Sequence, residues 1–429
     1  MNVRKVLAAA ATASAVIALA GCGSSSSPGG TDAEGGASPA EGTVRMWVME
    51  GSLTEESQQV LVDEFAEANP GSELQIEVQQ WDGIVSKLQT SLASKNESPD
   101  LVEIGNTQTT TFTTVGAFAD VTELKDALGG DDLIPSFVDA ATVDDKIYAY
   151  PFYAGARAVY YRTDLFEQAG IEIPTTIAEF TDAVVALQQA NPEGTADFSG
   201  MYLAAVDPHG VESYLFPQGF EYATQEGDEW VGQASAPESV AALEALQELF
   251  QNGTTYGLDS QASQKSFERY FNEGKTGVLI GTGNIGTKID QELWDAGKVG
   301  VFAIPSDEPG VPGSTFAGGS NIALAQNSPN PELAQKALEV IFSETFQAQL
   351  AKEGWVPGNT SFADDVSGPF GEIAGDVIAN SKLTPNSPEW GVAFGSTQLN
   401  EFFTRIAKGE DVAEVAKSFD GQIDAVLNK

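Results

Sequence analysis

Cysteine and histidine are almost missing from this 429-residue chain, which holds one of each, Cys22 and His209. One thiol excludes an intramolecular disulfide and a cysteine metal cluster, and one imidazole excludes a histidine-rich metal site. Neither HExxH nor GxSxG occurs, so zincin and serine-hydrolase chemistry lack their parts. Basic residues are scarce too: 21 Lys and Arg face 62 Asp and Glu, a net charge of −41. Such a field repels nucleic acid and anionic lipid headgroups, and it disfavours an anionic ligand outside a locally basic pocket. Acidity also serves solubility or a salty habitat without saying anything about a ligand. No metal or cofactor is expected. The apolar stretch Val6–Ala20, broken by Thr12 and Ser14, is too short and too Ala-rich for a stable membrane span.

That stretch follows a short basic segment, Arg4-Lys5, and ends in Leu19-Ala20-Gly21-Cys22. This is the layout of a secretory signal peptide over residues 1–21. The last four residues resemble the bacterial lipobox, which implies cleavage before Cys22 and a diacylglyceryl group on its thiol. Residues 22–42 then carry Gly, Ser, Pro and acids with no large apolar side chain. Nothing there offsets the entropy of ordering, and a flexible segment of this length spans roughly 25 Å. With Arg4 and Lys5 removed, 19 bases face 62 acids, a net of −43. The expectation is an exported body, tethered by lipid to the outer face of the cytoplasmic membrane. About 385 residues remain, enough for the core of two or three domains.

The body opens as strand, helix, strand, helix, strand. Val44–Val48 is apolar; Ser52-Leu53-Thr54-Glu55 has capping-box spacing; Leu61, Phe65 and Ala68 recur at helical intervals. Leu74, Ile76 and Val78 alternate with polar residues up to Trp81, a helix runs over 84–93, and Pro99–Ile104 is a third strand. This order predicts a parallel sheet wrapped by helices, with ligands at the carboxyl ends of strands. A second α/β block begins near Ala158-Val159-Tyr160-Tyr161. Helices are predicted over 165–169, 177–189 and 237–251, a hairpin at Trp230, a strand over 276–280, a helix opened by Asn330-Pro331, and an amphipathic helix in the tail.

The run Asp144–Phe152, then Tyr160-Tyr161-Arg162-Thr163-Asp164-Leu165-Phe166 and Pro174–Phe180, resembles family 1 of the extracellular solute-binding proteins of ABC importers, which includes maltose-binding protein. Phe271–Val278, Gly318-Gly319-Ser320-Asn321 and Gly354-Trp355-Val356-Pro357 fit the same pattern in the same order. Each motif is degenerate alone; the order and spacing are specific, and the likeness covers nearly all of residues 43–429. The resemblance implies an α/β, two-lobe, type II periplasmic-binding-protein fold, with two or three crossovers and a ligand cleft between the lobes. The crossovers fall near Tyr153–Arg157 and Phe316–Ser320. Residues 43–155 with 318–368 form one lobe, and 156–317 with 369–429 the other. The implied partners are a small carbohydrate and the permease of an importer; a monomer is expected, with no nucleic-acid partner. General likeness to actinobacterial members points to a di- or oligosaccharide of the chitobiose or glucoside type.

Sugars offer apolar C–H faces and many hydroxyls, so their sites combine flat aromatic surfaces with planar hydrogen-bonding groups. Trp81, Trp355 and Trp390 lie in loop-like sequence, where stacking on a ligand and structural packing are both open. Trp47 sits within the first strand and reads as core, and Trp294, in a helix, reads as core or surface. Glu50, Asn106 and Gln108 follow strands and either reach the cleft or cap turns. Tyr153 and Arg157 flank the first crossover, and Gly319 and Ser320 lie at the second. Alignment with the family adds Asp207, His209 and Asn284. Gly281-Thr282-Gly283-Asn284-Ile285-Gly286 matches the dinucleotide-binding glycine pattern, but no base lies near except Lys288, and a cleft loop is the alternative. A secreted glycosidase using two of the many carboxylates and an adhesive lipoprotein are the rival functions.

Overall fold

The computed structural model describes residues 42–227, 229–260, 267–366, 368–394 and 397–429. The leader, Cys22 and the linker up to residue 41 lie outside them, as does Asp228 of the Trp230 hairpin. The described residues build a ten-stranded sheet. Its main strands are β1 (Thr43–Met49), β2 (Glu73–Gln79), β3 (Leu101–Gly105), β4 (Ala149–Arg162), β5 (Ser199–Tyr202), β6 (Thr276–Thr282), β7 (Val299–Phe302) and β8 (Thr315–Leu324). The order is β2-β1-β3-β8-β4-β6-β5, with β7 also paired to β4. β1, β2 and β3 run parallel, as the βαβ pattern requires, and β8 returns antiparallel to β3.

The strand expected to begin near Ala158 is the second half of β4, a 14-residue strand. Its sequence is apolar or aromatic almost throughout, as suits a strand covered on both faces. Residues Ala149–Ala156 pair with β8, and Arg157–Tyr161 pair with β6. Pro151 offers no N–H to the ladder, and the register shifts opposite it, between Ser320 and Asn321. Gly319 adopts φ +146, and a Cβ there would lie 2.4 Å from the Tyr153 carbonyl oxygen. The two halves of the sheet are thus joined through strands they share.

Helices α1 (Glu55–Ala68), α2 (Ile84–Leu92), α3 (Ile177–Ala190), α4 (Pro208–Leu215), α5 (Pro237–Asn252), α6 (Pro331–Ile341), α7 (Glu344–Lys352), α8 (Pro388–Ala393), α9 (Thr397–Ala407) and α10 (Val412–Leu427) cover the sheet. No described helix is long and apolar enough to cross a membrane. Leu61, Phe65, Leu338 and Phe346 share one core with β1 and β3, while Leu187, Leu246, Phe403 and Phe419 share another with β5 and β6. Each such side chain contributes about 1.5–3 kcal/mol by leaving water. A third cluster, including Phe137, Ala154, Tyr160, Leu279 and Phe370, joins the halves along the shared strands.

Local details differ from the sequence reading. The α1 N-cap is Thr54, whose Oγ1 accepts the Ser57 N–H, and Ser52 turns to another task. Val78 is exposed and Gln79 buried, so the alternation of β2 reverses at its end. Asn330 precedes α6, but its side chain donates to the Thr43 carbonyl instead of capping the helix.

Candidate functional site

The two halves meet over an aromatic floor. Trp355 follows α7 after Gly354, whose φ of +82 turns the chain, and Val356 then pairs with Ala154 of β4. The half-buried Trp355 ring packs on Tyr153, centroids 4.3 Å apart. Gly155 leaves room for it: a Cβ there would lie 3.0 Å from Trp355 Cζ3 and 3.1 Å from Thr282 Cγ2. Beyond Thr282, a Cβ on Gly283 would sit 2.1 Å from the Gly354 carbonyl oxygen. Backbone from the two halves touches there because neither residue has a side chain.

Beneath the floor lies a group the sequence reading passed over. Glu103 is fully buried in β3 between Val102 and Ile104. Its Oε1 accepts hydroxyls from Tyr153 (2.6 Å), Ser320 (2.6 Å) and Ser52 (2.7 Å), and its Oε2 accepts the Met49 N–H (2.7 Å). Burial pushes this carboxyl above the ordinary range despite the donors. Tyr153 and Ser320, both candidate ligand contacts, spend their hydroxyls here and are buried, at 3% and 1% exposure, with Tyr153 beneath the Trp355 ring. An acid in the middle of an apolar strand was the available signal.

Arg157 occupies the point where β4 changes partners. Its guanidinium lies 5.6 Å from the Phe316 ring centre, and His209 stacks on the same ring at 4.1 Å and 3°. Arg157 Nη1 is buried without a hydrogen-bond partner. Burial pulls the group below its usual range, opposed by the carboxylates of Asp207 and Glu212. Asp207 itself caps α4 through the Gly210 N–H, and His209 Nδ1 bonds Glu212 Oε2 at 2.7 Å.

On the other side of the floor, Trp81 is 42% exposed at the end of β2. A Cβ on Gly105 would meet Trp81 Cζ3 at 3.7 Å and Gln108 Oε1 at 3.5 Å, which places the three together. Gln108 Oε1 is buried and unpartnered. Glu50 is exposed after β1, Asn106 is buried with its Oδ1 accepting the Thr107 N–H, and Asn284 Oδ1 accepts the Thr282 hydroxyl. Two hydrogen bonds tie the halves here: Thr110 Oγ1 to Asn386 Oδ1 (2.6 Å) and Thr111 Oγ1 to the Pro388 carbonyl (2.7 Å).

Trp390 is not on this surface. It is 2% exposed, packed against Tyr222 and Phe394 at 4.9 and 4.8 Å, because one turn of α8 points it into the core. The glycine motif does not cradle a phosphate either. Protein atoms fill the space beside all three glycines: Ile285 at Gly281, Gly354 and Phe370 at Gly283, and Tyr160 at Gly286. Among the described residues no three His, Cys, Asp or Glu side chains are grouped to hold a metal ion.

Comparison with known proteins shows a family and a fold. The family described as bacterial extracellular solute-binding protein matches residues 50–348. The chain is 31% identical over 433 residues to the diacetylchitobiose binding protein DasA of Streptomyces coelicolor, covering 99% of both chains. Among solved structures, the GacH receptor of Streptomyces glaucescens superposes with a TM-score of 0.78 at 19% identity, over 91% of this chain and 99% of the other. The sugar-binding protein MalE of Xanthomonas citri gives 0.74 at 21% identity, over 90% and 97%. Both structures share the two-lobe fold.

Proposed function

This chain belongs to the bacterial extracellular solute-binding proteins, and from that premise we propose that its solute is a carbohydrate of two or more rings, handed to an ABC importer. A family of receptors also sets aside the glycosidase and adhesive readings. The observation that carries the carbohydrate reading is the grouping of flat and planar groups: Trp355 on Tyr153, exposed Trp81, and the unpartnered amide oxygen of Gln108 and Nη1 of Arg157. Stacking on C–H faces contributes about 0.5–1.5 kcal/mol per ring, and the planar groups select hydroxyl or amide substituents. Likeness to a diacetylchitobiose binding protein along the whole chain supports a disaccharide or short oligosaccharide.

In this reading the lobes are residues 43–155 with 318–368 and residues 156–317 with 369–429. They close on the solute as far as its differential affinity for the closed form allows. The receptor acts as a monomer, held to the outer face of the cytoplasmic membrane by lipid on Cys22 with residues 23–42 as tether. Isothermal titration against disaccharides, oligosaccharides, polyols and amino acids tests the ligand class; binding to no sugar overturns it. Cys22→Ser is expected to move the protein from the membrane to the soluble fraction, and a variant still in the membrane refutes the anchor.

A further inference from the structure

His209 is the only histidine in the chain, and its ring is held in place. It stands in the first turn of α4, which follows the carboxyl end of β5. β6 runs parallel to β5, and the end of β6, Thr282 with Gly283, abuts Gly354 beside Trp355. The imidazole stacks on Phe316 of β8 at 4.1 Å and 3°. Ser213 Oγ donates to the His209 carbonyl and accepts the Phe316 N–H, so helix and strand keep the two rings in register. Nδ1 lies 2.7 Å from Oε2 of Glu212, a fully buried carboxylate whose Oε1 accepts the Tyr222 hydroxyl at 2.9 Å. Burial pushes the Tyr222 phenol well above its ordinary range, so it keeps its proton and donates. The second carboxylate oxygen then takes the Nδ1–H. The tautomer of a neutral imidazole follows from the bond that its other nitrogen makes. Nε2 is left with a lone pair. Among the described residues nothing bonds it, and the side chain is 44% exposed.

We propose that His209 reads the solute: with Nδ1–H held by Glu212, Nε2 is a fixed acceptor for a hydroxyl or amide N–H of the bound molecule, and Glu212 is the positioning residue that sets this polarity. The inference rests on the receptor reading above and narrows its ligand. The group that meets His209 must be a donor, so an ether oxygen, a carbonyl or a carboxylate at that point is rejected. Protonation withdraws the acceptor, since both ring nitrogens are then donors. The charged and titratable groups around the ring are Glu212 and Asp207 of its own helix, Arg157 of β4 on the same Phe316 ring, and Tyr222 behind Glu212. Lys382, whose backbone pairs with Phe316, is committed to Glu221.

With a single histidine present, long-range proton–nitrogen NMR of the whole chain reads the tautomer directly. The wild type is expected in the Nδ1–H form. Glu212→Gln, whose amide donates to Nδ1, is expected to shift the ring to the Nε2–H form. A wild-type ring found as Nε2–H overturns the proposal whether or not a sugar binds. Calorimetry with N,N′-diacetylchitobiose and with cellobiose, which carries hydroxyls in place of the acetamido groups, reads the consequence and separates amide N–H from hydroxyl as the donor. Affinity for the sugar that binds is expected to fall about fivefold or more from about pH 8 to about pH 5, the range in which histidine side chains titrate. His209→Phe keeps a flat ring on Phe316 without an acceptor, and it is expected to bind weakly at every pH with that dependence gone. Affinity that stays level or rises as pH falls, or a dependence that survives in H209F, overturns the proposal. If neither sugar binds a wild type whose ring is the Nδ1–H form, the carbohydrate reading fails and the assignment of His209 as an acceptor stands.

Discussion

Replacing Glu103 by Gln turns one acceptor of a closed cluster into a donor. Three hydroxyls converge on Oε1 and the Met49 N–H on Oε2, all within 2.6–2.7 Å. If the amide nitrogen faces Met49, two donors oppose each other in a site closed to water. If it faces the hydroxyls, Tyr153 can still donate to Ser52 Oγ at 2.7 Å, but at least one serine proton loses its acceptor. Either way one buried donor goes unmet, at about 1–3 kcal/mol. The pH dependence carries a definite sign. Burial raises the folded-state pKa of Glu103, so the stability gained by holding its proton is fully present below the unfolded value of about 4.3 and is lost as pH rises through the folded pKa. Gln does not titrate. The wild type should therefore exceed E103Q most in mild acid, where the acid's hydroxyl oxygen still accepts the Met49 N–H, and the gap should narrow toward neutral pH. Urea unfolding followed by tryptophan fluorescence across that range measures it. Equal stabilities, or a gap that widens with pH, would refute the reasoning.

Trp355→Ala should weaken sugar binding several-fold, since a stacked ring contributes about 0.5–1.5 kcal/mol; unchanged affinity by titration calorimetry removes Trp355 from the site. Trp390→Ala should behave oppositely, costing about 3–5 kcal/mol of stability by opening a core cavity while each folded molecule binds as before. A Trp390 variant that is stable but does not bind would return this residue to the cleft.

Elements defined by their own periodicity were legible in the sequence. α6 and α10 bury the stripes that spacing predicts, and β1, β2 and β3 lie parallel as the βαβ order requires. Partnership was harder to read. β4 looks like two strands because nothing local states that one strand serves two halves of a sheet. Trp81, Trp355 and Trp390 have similar neighbours in sequence, yet the first is exposed, the second half-buried and the third enclosed, because helix direction and distant aromatics decide the outcome. Glu103 escaped notice for a related reason: its four donors come from three distant segments, and only the folded chain gathers them. Asp207 shows how one residue type fits two roles, since its carboxylate caps α4 while its charge acts on Arg157.

The shared strands also set the order in which the molecule can be made. β3 is completed by β8, over two hundred residues later, and the first core needs α6 and α7 beyond it. The second core closes on α9 and α10, at the far end of the chain. The early strands therefore wait for partners that come much later in the chain, and contacts so distant in sequence are slow to form. For a protein that functions outside the cytoplasm, this late completion favours translocation. β3 stays without its β8 partner for more than two hundred residues of synthesis, which keeps the first half incompletely folded over that stretch.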